Sequence, residues 1–401
     1  MNGRPVHRAT DHSLGPHPLE RLTSEYLGLM NRLLTSALAI AAVGAVGHAN
    51  GNDSDWLELD SEINGLATSV ATQGDWMDIK ALLRGFYNYS SDELATFDGV
   101  GFGDDVSGVN LEDAEINGGF QVGDVKLRLG VDFYSGSATL QDAFASYRVS
   151  EDVTVRMGQY KPHVLRSNFI DPDKQFFPYR TALGAAFDFW DEGVGVAGDV
   201  EAFSWSFDIF NGPMLNGDRS GHLYILRVLW NSGRLPGLYE TTPEDAFGAG
   251  DEPAFTIGGT VIENDVDSGD AGAIAFDAMG TVGRIGFGAE VALLGEDVNL
   301  ATQRSTWNAL ALPLVFGDGD DSTTAWALQG NIIPDDRFGI GARIESLDNA
   351  NDETIITIAG NMYDAGHAGK LTAGVSFIST DATGFDDTTV FSLGYTFGAS
   401  R

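Results

Sequence analysis

The sequence predicts an all-β fold, a transmembrane antiparallel β-barrel of about sixteen strands, preceded by a short N-terminal periplasmic segment. Three observations favour this fold. Apolar and polar residues alternate in repeated runs of about ten residues, the length that a tilted strand needs to cross a bilayer. The 401 residues include 51 glycines, 10% aromatic residues and no cysteine. A leader typical of exported proteins precedes the first run.

The composition also excludes several classes of function. The absence of cysteine excludes disulfide scaffolds, iron–sulfur sites, cysteine-based zinc sites and cysteine catalysis. There are 23 basic and 58 acidic side chains, a net charge of −35. Nucleic acid is therefore not an expected partner, because binding it depends on neutralising phosphates with Lys and Arg.

The leader lies at residues 30–49. Arg32 is followed by an apolar run from Leu33 to Val46 and by the small-residue ending Gly47-His48-Ala49, which predicts a signal peptide cut after Ala49. The alternative is an amphipathic or core helix. A signal peptide belongs at the terminus, so we interpret residues 1–29 as an upstream extension assigned in error.

Residues 50–76 are predicted to form a periplasmic segment. Apolar residues at Leu59, Ile63, Leu66 and Val70 have helical spacing, which favours a short helix over the alternative of a coiled-coil stub. After this segment no stretch approaches the ~20 apolar residues of a membrane-spanning helix. We assign residues 77–401 to the barrel.

Alternation defines the strands from residue 77 onward. In the first run, apolar or small residues occupy the odd positions from Met77 to Tyr89, and polar residues such as Lys80 and Arg84 lie between them. The same pattern predicts strands near 77–90, 111–122, 125–134, 139–149, 153–160, 187–197, 201–210, 221–231, 254–263, 272–281, 284–294, 325–333, 338–347, 354–362, 370–379 and 389–397. Strand character at 306–316 leaves a count of eighteen as the alternative.

The connections support an even count, because short turns and long loops should alternate between the two rims of an outer-membrane barrel. Tight turns occur at 123–124, 198–199 and 282–283, and long loops at 91–110, 161–186 and 295–324. Two connections do not fit: 135–138 is short for an outer loop, and 232–253 is long for a turn.

The alternative to a membrane barrel is a secreted soluble β-rich protein with a binding or structural role, since either fold has one apolar face. Aromatic residues at strand ends favour the barrel and a bacterial outer-membrane location, because such barrels carry aromatic girdles. These residues are Tyr87, Tyr89, Trp230, Tyr395 and Phe397. Outer-membrane lipids and lipopolysaccharide are then the expected partners.

The inward face predicts the charge of the pore. Ten of the basic residues fall on this face: Lys80, Arg84, Lys126, Arg128, Arg148, Arg156, Arg227, Arg284, Arg343 and Lys370. Two wall ion pairs are expected, Arg128 with Asp132 and Arg343 with Glu345. Loop 161–186 carries Lys161, Arg166, Lys174 and Arg180 against Asp171 and Asp173, a local charge of +2. If the loop folds inward, these cations would form an anion-favouring constriction. The alternative is that they pair with neighbouring acidic residues and only hold the loop in place.

The segment from Arg156 to Val196 resembles the phosphate-selective porin O and P family. The resemblance rests on Arg156-Met157-Gly158-Gln159-Tyr160-Lys161-Pro162, on Phe176-Phe177-Pro178-Tyr179-Arg180 and on Gly193-Val194-Gly195-Val196. It implies a sixteen-stranded homotrimeric porin that draws anions through by inward basic residues. By position it implies that Lys161 and Arg180 belong to the constriction, and Arg128 and Arg156 to the basic wall.

No motif indicates catalysis or a cofactor. The histidines beyond the leader are His163, His222 and His367, and no Gly-x-Ser-x-Gly or phosphate-binding loop occurs. The Asp-rich clusters at 103–105, 267–270 and 318–321 do not match an EF-hand, so no metal site is assigned and solvated outer loops are expected. The sequence therefore predicts a non-enzymatic porin for passive diffusion of small hydrophilic solutes, with anions such as phosphate as candidates.

Overall fold

The computed structural model describes residues 77–91, 106–134, 136–212, 221–232, 243–266, 269–295, 298, 300–301, 315–316, 322–348, 352–379 and 387–400. The predictions for residues 1–76, including the signal peptide and the periplasmic segment, lie outside this range. No helix within it is long and apolar enough to cross a membrane.

The chain forms a closed antiparallel barrel of sixteen strands, which confirms the predicted fold. Its strands are β1 (Met77–Ser90), β2 (Val106–Val122), β3 (Val125–Asp132), β4 (Thr139–Arg148), β5 (Val153–Tyr160), β6 (Asp191–Val200), β7 (Phe203–Phe210), β8 (His222–Ser232), β9 (Ala254–Val266), β10 (Gly269–Val282), β11 (Ile285–Leu294), β14 (Thr323–Ile332), β15 (Phe338–Ser346), β16 (Thr354–Tyr363), β17 (Gly369–Ser379) and β18 (Thr388–Ser400). Two short strands, β12 (Leu300–Ala301) and β13 (Val315–Phe316), form a separate hairpin, so the alternative of eighteen barrel strands is wrong.

Each barrel strand pairs with its neighbours along the chain, and β1 pairs with β18 to close the barrel. At one rim, here called the turn rim, the two-residue turns 123–124 and 283–284 place Gly123 and Gly283 at φ 63° and 57°. Glycine adopts this left-handed conformation without a steric cost. The opposite rim, here called the loop rim, includes the connection 161–190 between β5 and β6.

The two faces of the wall differ as the alternation predicts. Along β10, the outward Ile274 and Phe276 are 42% and 51% exposed, whereas the inward Ala275 and Asp277 are 0% and 5% exposed. Large apolar side chains are exposed in the same way on the outward face of most strands. A water-facing surface of this extent is not expected, but a lipid-facing one is.

The interior contains a hydrophobic core, which the sequence did not predict. The connection 161–190 folds into the barrel and carries α1 (Arg166–Phe169), a 3-10 helix (Pro172–Lys174) and α2 (Ala182–Ala186). Its apolar residues pack on inward apolar residues of the wall near the loop rim. This core includes Val164, Leu165, Tyr179, Leu183 and Phe187 from the connection, and Leu223, Ile225, Ile262, Leu294, Ile355 and Ile378 from the wall. In this part of the barrel the inward face is therefore covered by packed apolar side chains and does not line the pore.

Candidate functional site: an off-centre pore

An open cavity of about 790 Å³ lies between strands β1–β5 and the inward connection 161–190, which we name the constriction loop. On the wall it is lined near the turn rim by Asp78, Gln121 and Lys126, and deeper in the barrel by Glu115 and Asp142. The packed half of the interior lies on the other side of the loop. Among the described residues, this open space therefore lies along one side of the barrel wall.

The lining of this cavity is rich in charge of both signs. The basic residues in the lining are Lys80, Lys126, Arg128, Arg148, Arg156, Lys161, Lys174 and Arg180. The acidic residues in it are Asp78, Asp113, Glu115, Asp124, Asp142, Asp171 and Asp188. The cavity thus holds eight of the 23 basic side chains but seven of the 58 acidic ones. Eight minus seven gives a local charge of +1, in a chain whose net charge is −35.

Lys161 and Arg180 share one carboxylate. The Lys161 ammonium pairs with Asp188, and Arg180 Nε lies 3.1 Å from Asp188 Oδ2. Arg180 Nη1 also donates to the backbone carbonyls of Ser167 and Ile170, at 2.7 and 2.6 Å. Burial lowers the pKa of Lys161 although Asp188 opposes that shift. These contacts correspond to the second interpretation, in which the cations pin the loop.

Lys174 lies at the surface of the loop. Its Nζ is 3.4 Å from Asp171 Oδ2, and Lys80 on β1 reaches across to Asp171 and Asp173 at 3.1 and 2.9 Å. Asp171 is 30% exposed at its side chain. This group of two lysines and two aspartates joins the wall to the loop, and all of its members except Asp173 line the cavity.

Arg166 lies away from the main cavity. It is 5% exposed and lines a separate cavity of about 20 Å³ together with Ser167, Glu290 and Gln329. Burial lowers the pKa of Arg166 to about 10. Although Arg166 belongs to the constriction loop as the sequence predicts, its side chain points into the packed half of the barrel.

His163 is buried among positive charges. It is 1% exposed, and its ring packs edge-on against Phe169 with 3.7 Å between ring centroids. Burial, and then the neighbouring cations, hold the pKa of His163 well below 6.5. These cations are Arg156, Arg227, Arg166 and Lys161. The imidazole is therefore neutral in the folded barrel at neutral pH.

The predicted basic wall is divided between the cavity and the packed interior. Lys126, Arg128 and Arg148 are exposed to the cavity. Arg128 pairs with Asp142 at 3.0 Å, whereas Lys126 and Arg148 form no ion pair within the part of the chain that the structure describes. Arg156 is buried, pairs with Asp208 at 3.0 Å and stacks over Tyr160.

Arg84 does not line the cavity, contrary to the sequence prediction. It is 4% exposed, and its guanidinium contacts Asp113 at 2.6 Å and Gln175 of the constriction loop at 2.7 Å. The sequence assigned it to the pore because it points inward. The structure shows that the loop covers this part of β1, so that Arg84 holds the loop in place.

The two expected wall ion pairs have different outcomes. Arg343 and Glu345 lie 2.8 Å apart, as expected. Arg128 pairs with Asp142 on β4 instead of Asp132, because residues four apart on one extended strand are separated by about 13 Å, whereas Asp142 is a diagonal neighbour across the β3–β4 pair. Asp132 instead accepts hydrogen bonds from Gln141 and from the backbone N–H of Ala114.

Sequence reasoning missed a second inward segment, which includes Glu244. The Glu244 carboxylate accepts hydrogen bonds from the backbone N–H groups of Phe176 and Phe177, at 2.6 and 3.4 Å. The available signal was the length of the connection 232–253, which does not fit a simple turn.

Comparisons with known proteins agree with the fold. No protein-family model and no curated protein matches the chain. Among solved structures, it is similar to an anion-selective porin from Comamonas acidovorans, with a TM-score of 0.55 and 11% identity over 80% of this chain and 99% of that chain. OprB of Pseudomonas putida has a TM-score of 0.55 and 8% identity over 84% and 97%. A loop-deletion variant of OmpT, an outer membrane protein of Vibrio cholerae, has a TM-score of 0.51 and 15% identity over 80% and 99%.

Proposed function

We propose that this chain is a porin of the bacterial outer membrane, through which small hydrophilic solutes diffuse passively and without chemistry. The observation that carries the proposal is the open cavity of about 790 Å³, lined by charged side chains, inside a closed barrel. A closed barrel satisfies all of its backbone hydrogen bonds between strands, which lipid requires. The exposed apolar belt gives the outside a surface that matches acyl chains.

The alternative of a soluble β-rich protein is less compatible with the outward face. Phe276, Ile257 and Phe207 are 51%, 54% and 38% exposed on it. In a soluble sandwich such residues would pack between two sheets. The signal peptide at 30–49 and the periplasmic segment at 50–76 belong to the same proposal, because export must precede insertion into the outer membrane.

We further propose a modest preference for small anions, phosphate included. It is supported by the charge of the lining, where basic residues are enriched relative to the whole chain. Most of these cations are paired, so the preference depends on Lys126 and Arg148 near the turn rim, which have no ion-pair partner among the described residues. A dedicated phosphate site receives little support, because Lys80, Lys161 and Lys174 are already ion-paired.

Assembly as a homotrimer is carried over from the family resemblance and remains part of the proposal. Electrophoresis of outer-membrane vesicles in detergent, with and without boiling, would test it. A trimer band that disappears on heating is the expected result, and a monomer band alone would contradict it.

The zero-current potential of the purified protein in a planar bilayer tests the function and its selectivity together. Under a potassium chloride gradient, we expect stable channels and a potential of the sign that chloride permeation produces, since fixed cations lower the barrier for anions. The absence of channels would contradict the porin proposal. Channels with a potential of the opposite sign would contradict only the anion preference.

A further inference from the structure

The connection between β8 and β9 differs from the other connections at the turn rim. It spans residues 233–253, whereas those at 123–124, 201–202 and 283–284 are tight turns. In its described part, Glu244, Asp245 and Ala246 are only 3%, 2% and 4% exposed. Connecting segments usually run over the surface, where water satisfies their backbone. Residues 243–248, which we name the brace, instead fold into the barrel.

The brace contacts the constriction loop through Glu244. The Glu244 N–H donates to the Lys174 carbonyl at 3.0 Å, and the Glu244 carboxylate accepts from Phe176 N–H at 2.6 Å and Phe177 N–H at 3.4 Å. A charged acceptor for buried backbone N–H groups makes a strong hydrogen bond. One residue of the brace thus contacts three residues of the loop, two through its side chain and one through its backbone.

The barrel wall holds the brace from the other side. Gln329 Nε2 donates to Glu244 Oε1 at 3.1 Å, and Asn331 Nδ2 donates to the Glu244 carbonyl at 3.0 Å. Tyr363 O–H donates to Asp245 at 2.5 Å, and His367 Nε2 lies 2.9 Å from the same carboxylate. The brace is therefore anchored on β14, on β16 and on the turn after β16.

Asp245 is suited to be a permanent anchor. Burial alone would favour the neutral acid, but the hydrogen bond and charge of His367 lower the pKa of Asp245 overall. Phe247 stacks on Tyr363, the hydrogen-bond donor to Asp245, with 4.3 Å between ring centroids. This ring covers one side of the hydrogen-bonded group. The anchor therefore stays charged and shielded at neutral pH.

We propose that the brace is a second pore-limiting element, which supports the constriction loop from the turn rim, and that Glu244 is the positioning residue through which it sets the width of the pore. The inference rests on the proposed function. Without the Glu244 carboxylate, the loop backbone at 176–177 loses its acceptor. The loop can then move toward the packed half or toward solvent, and the open cross-section changes.

Two substitutions at this position separate hydrogen bonding from charge. Glu244→Ala removes the acceptor for Phe176 N–H. Glu244→Gln keeps an acceptor oxygen, and its amide can donate to the Gln329 side-chain oxygen after that amide rotates. Asp251→Ala is the matched control, because Asp251 is an exposed acid in the same connection.

The experiment measures single-channel conductance in bilayers and the largest neutral sugar that enters proteoliposomes. For Glu244→Ala we expect conductance to change about twofold and the largest sugar that enters to change in the same direction, since conduction depends on pore width. Glu244→Gln and Asp251→Ala should match wild type. A Glu244→Ala protein that shows the heat-modifiable migration of a folded barrel but conducts as wild type does would overturn the inference. If the wild type itself forms no channels, the proposed function fails instead.

A second measurement does not depend on the folding of Glu244→Ala. The chain has no cysteine, so Ala246→Cys supplies a single buried thiol, and Asp251→Cys an exposed one. A charged thiol reagent should label Ala246→Cys much more slowly, and conductance should change as labelling displaces the brace. Equal labelling rates, or labelling of Ala246→Cys without any change in conductance, would refute the role of the brace.

Discussion

Asp171→Asn should increase the preference of the pore for anions. Asp171 is the carboxylate that faces the cavity between Lys80 and Lys174, at 3.1 and 3.4 Å. Asparagine has nearly the same shape, so the loop keeps its packing. Lys80 also keeps Asp173 as a partner, at 2.9 Å. The main change is the loss of one negative charge from the lining, where the excess of basic over acidic residues rises from one to two.

The size of the effect follows from Coulomb's law. A unit charge about 8 Å from a passing ion is worth about 0.5 kcal/mol in water, and screening at 0.1 M salt reduces this to about 0.2 kcal/mol. Anions gain this energy and cations lose it. The ratio of anion to cation permeability should therefore rise about twofold at 0.1 M salt, and the change should nearly vanish at 1 M.

The assay is the zero-current potential at both salt concentrations. Lys174→Gln is the matched control of opposite sign, because it removes one positive charge at nearly the same place. It should lower the same ratio about twofold at 0.1 M salt. A shift in the same direction for both variants would show that loop movement, and not charge, controls selectivity. No shift in either would mean that solutes do not pass this cavity.

Three further predictions concern stability, measured as unfolding from lipid vesicles. Below pH 6.5 the unfolded chain takes up a proton at His163 that the folded barrel excludes, so the free energy of unfolding should fall as the pH is lowered from 6.5, by at most about 1.4 kcal/mol per pH unit. His163→Phe should remove that part of the acid sensitivity, and an unchanged pH profile would contradict the burial of a neutral ring. Arg343→Met leaves the buried Glu345 charge without its partner and should lower the free energy of unfolding by about 3–5 kcal/mol. The double variant with Glu345→Gln should recover most of that stability. Equal losses in the single and the double variant would argue against a charge effect. Phe276 lies on the outward face of β10, so Phe276→Arg should lower the free energy of unfolding by about 2–4 kcal/mol where that face meets the bilayer midplane. Phe276→Leu should lower it much less.

The barrel could be predicted because a lipid-facing wall imposes period two on almost every strand. The prediction loses accuracy where the backbone departs from that period. Strand β2 begins at Val106 and not near residue 111. The sequence pattern did not reveal this start, because a bulge in β2 opposite Arg84 and Gly85 exchanges the two faces and changes the phase of the alternation. Strands β9 and β10 extend further toward the loop rim than predicted. Both faces of β9 are polar there, because Glu263 and Asp265 are exposed on the outward face and Asn264 is buried on the inward face.

The filled interior was harder to predict, although β8 contained a signal. Its residues 223–230 are nearly all apolar, unlike a strand with one face in lipid and the other in water. Strands that are apolar on both faces are covered on both. Leu223, Ile225 and Leu229 are 0% exposed, while Leu226 on the outward face is 46% exposed. Which chain segment covers the inward face depends on long-range contacts that no local pattern contains.

The same contacts explain why the loop cations that the sequence predicts at the constriction are mostly engaged by protein groups and not available to solutes. A loop folded into a barrel needs hydrogen-bond partners for its backbone, and inward side chains of the wall supply them. Asn361 donates to the Phe176 carbonyl and Arg343 to the Tyr179 carbonyl. Within the loop, Arg180 donates to two backbone carbonyls and pairs with Asp188. Basic residues that hold the loop in this way give the cavity its shape, and charge selection is left to the residues of wall and loop that face the open cavity.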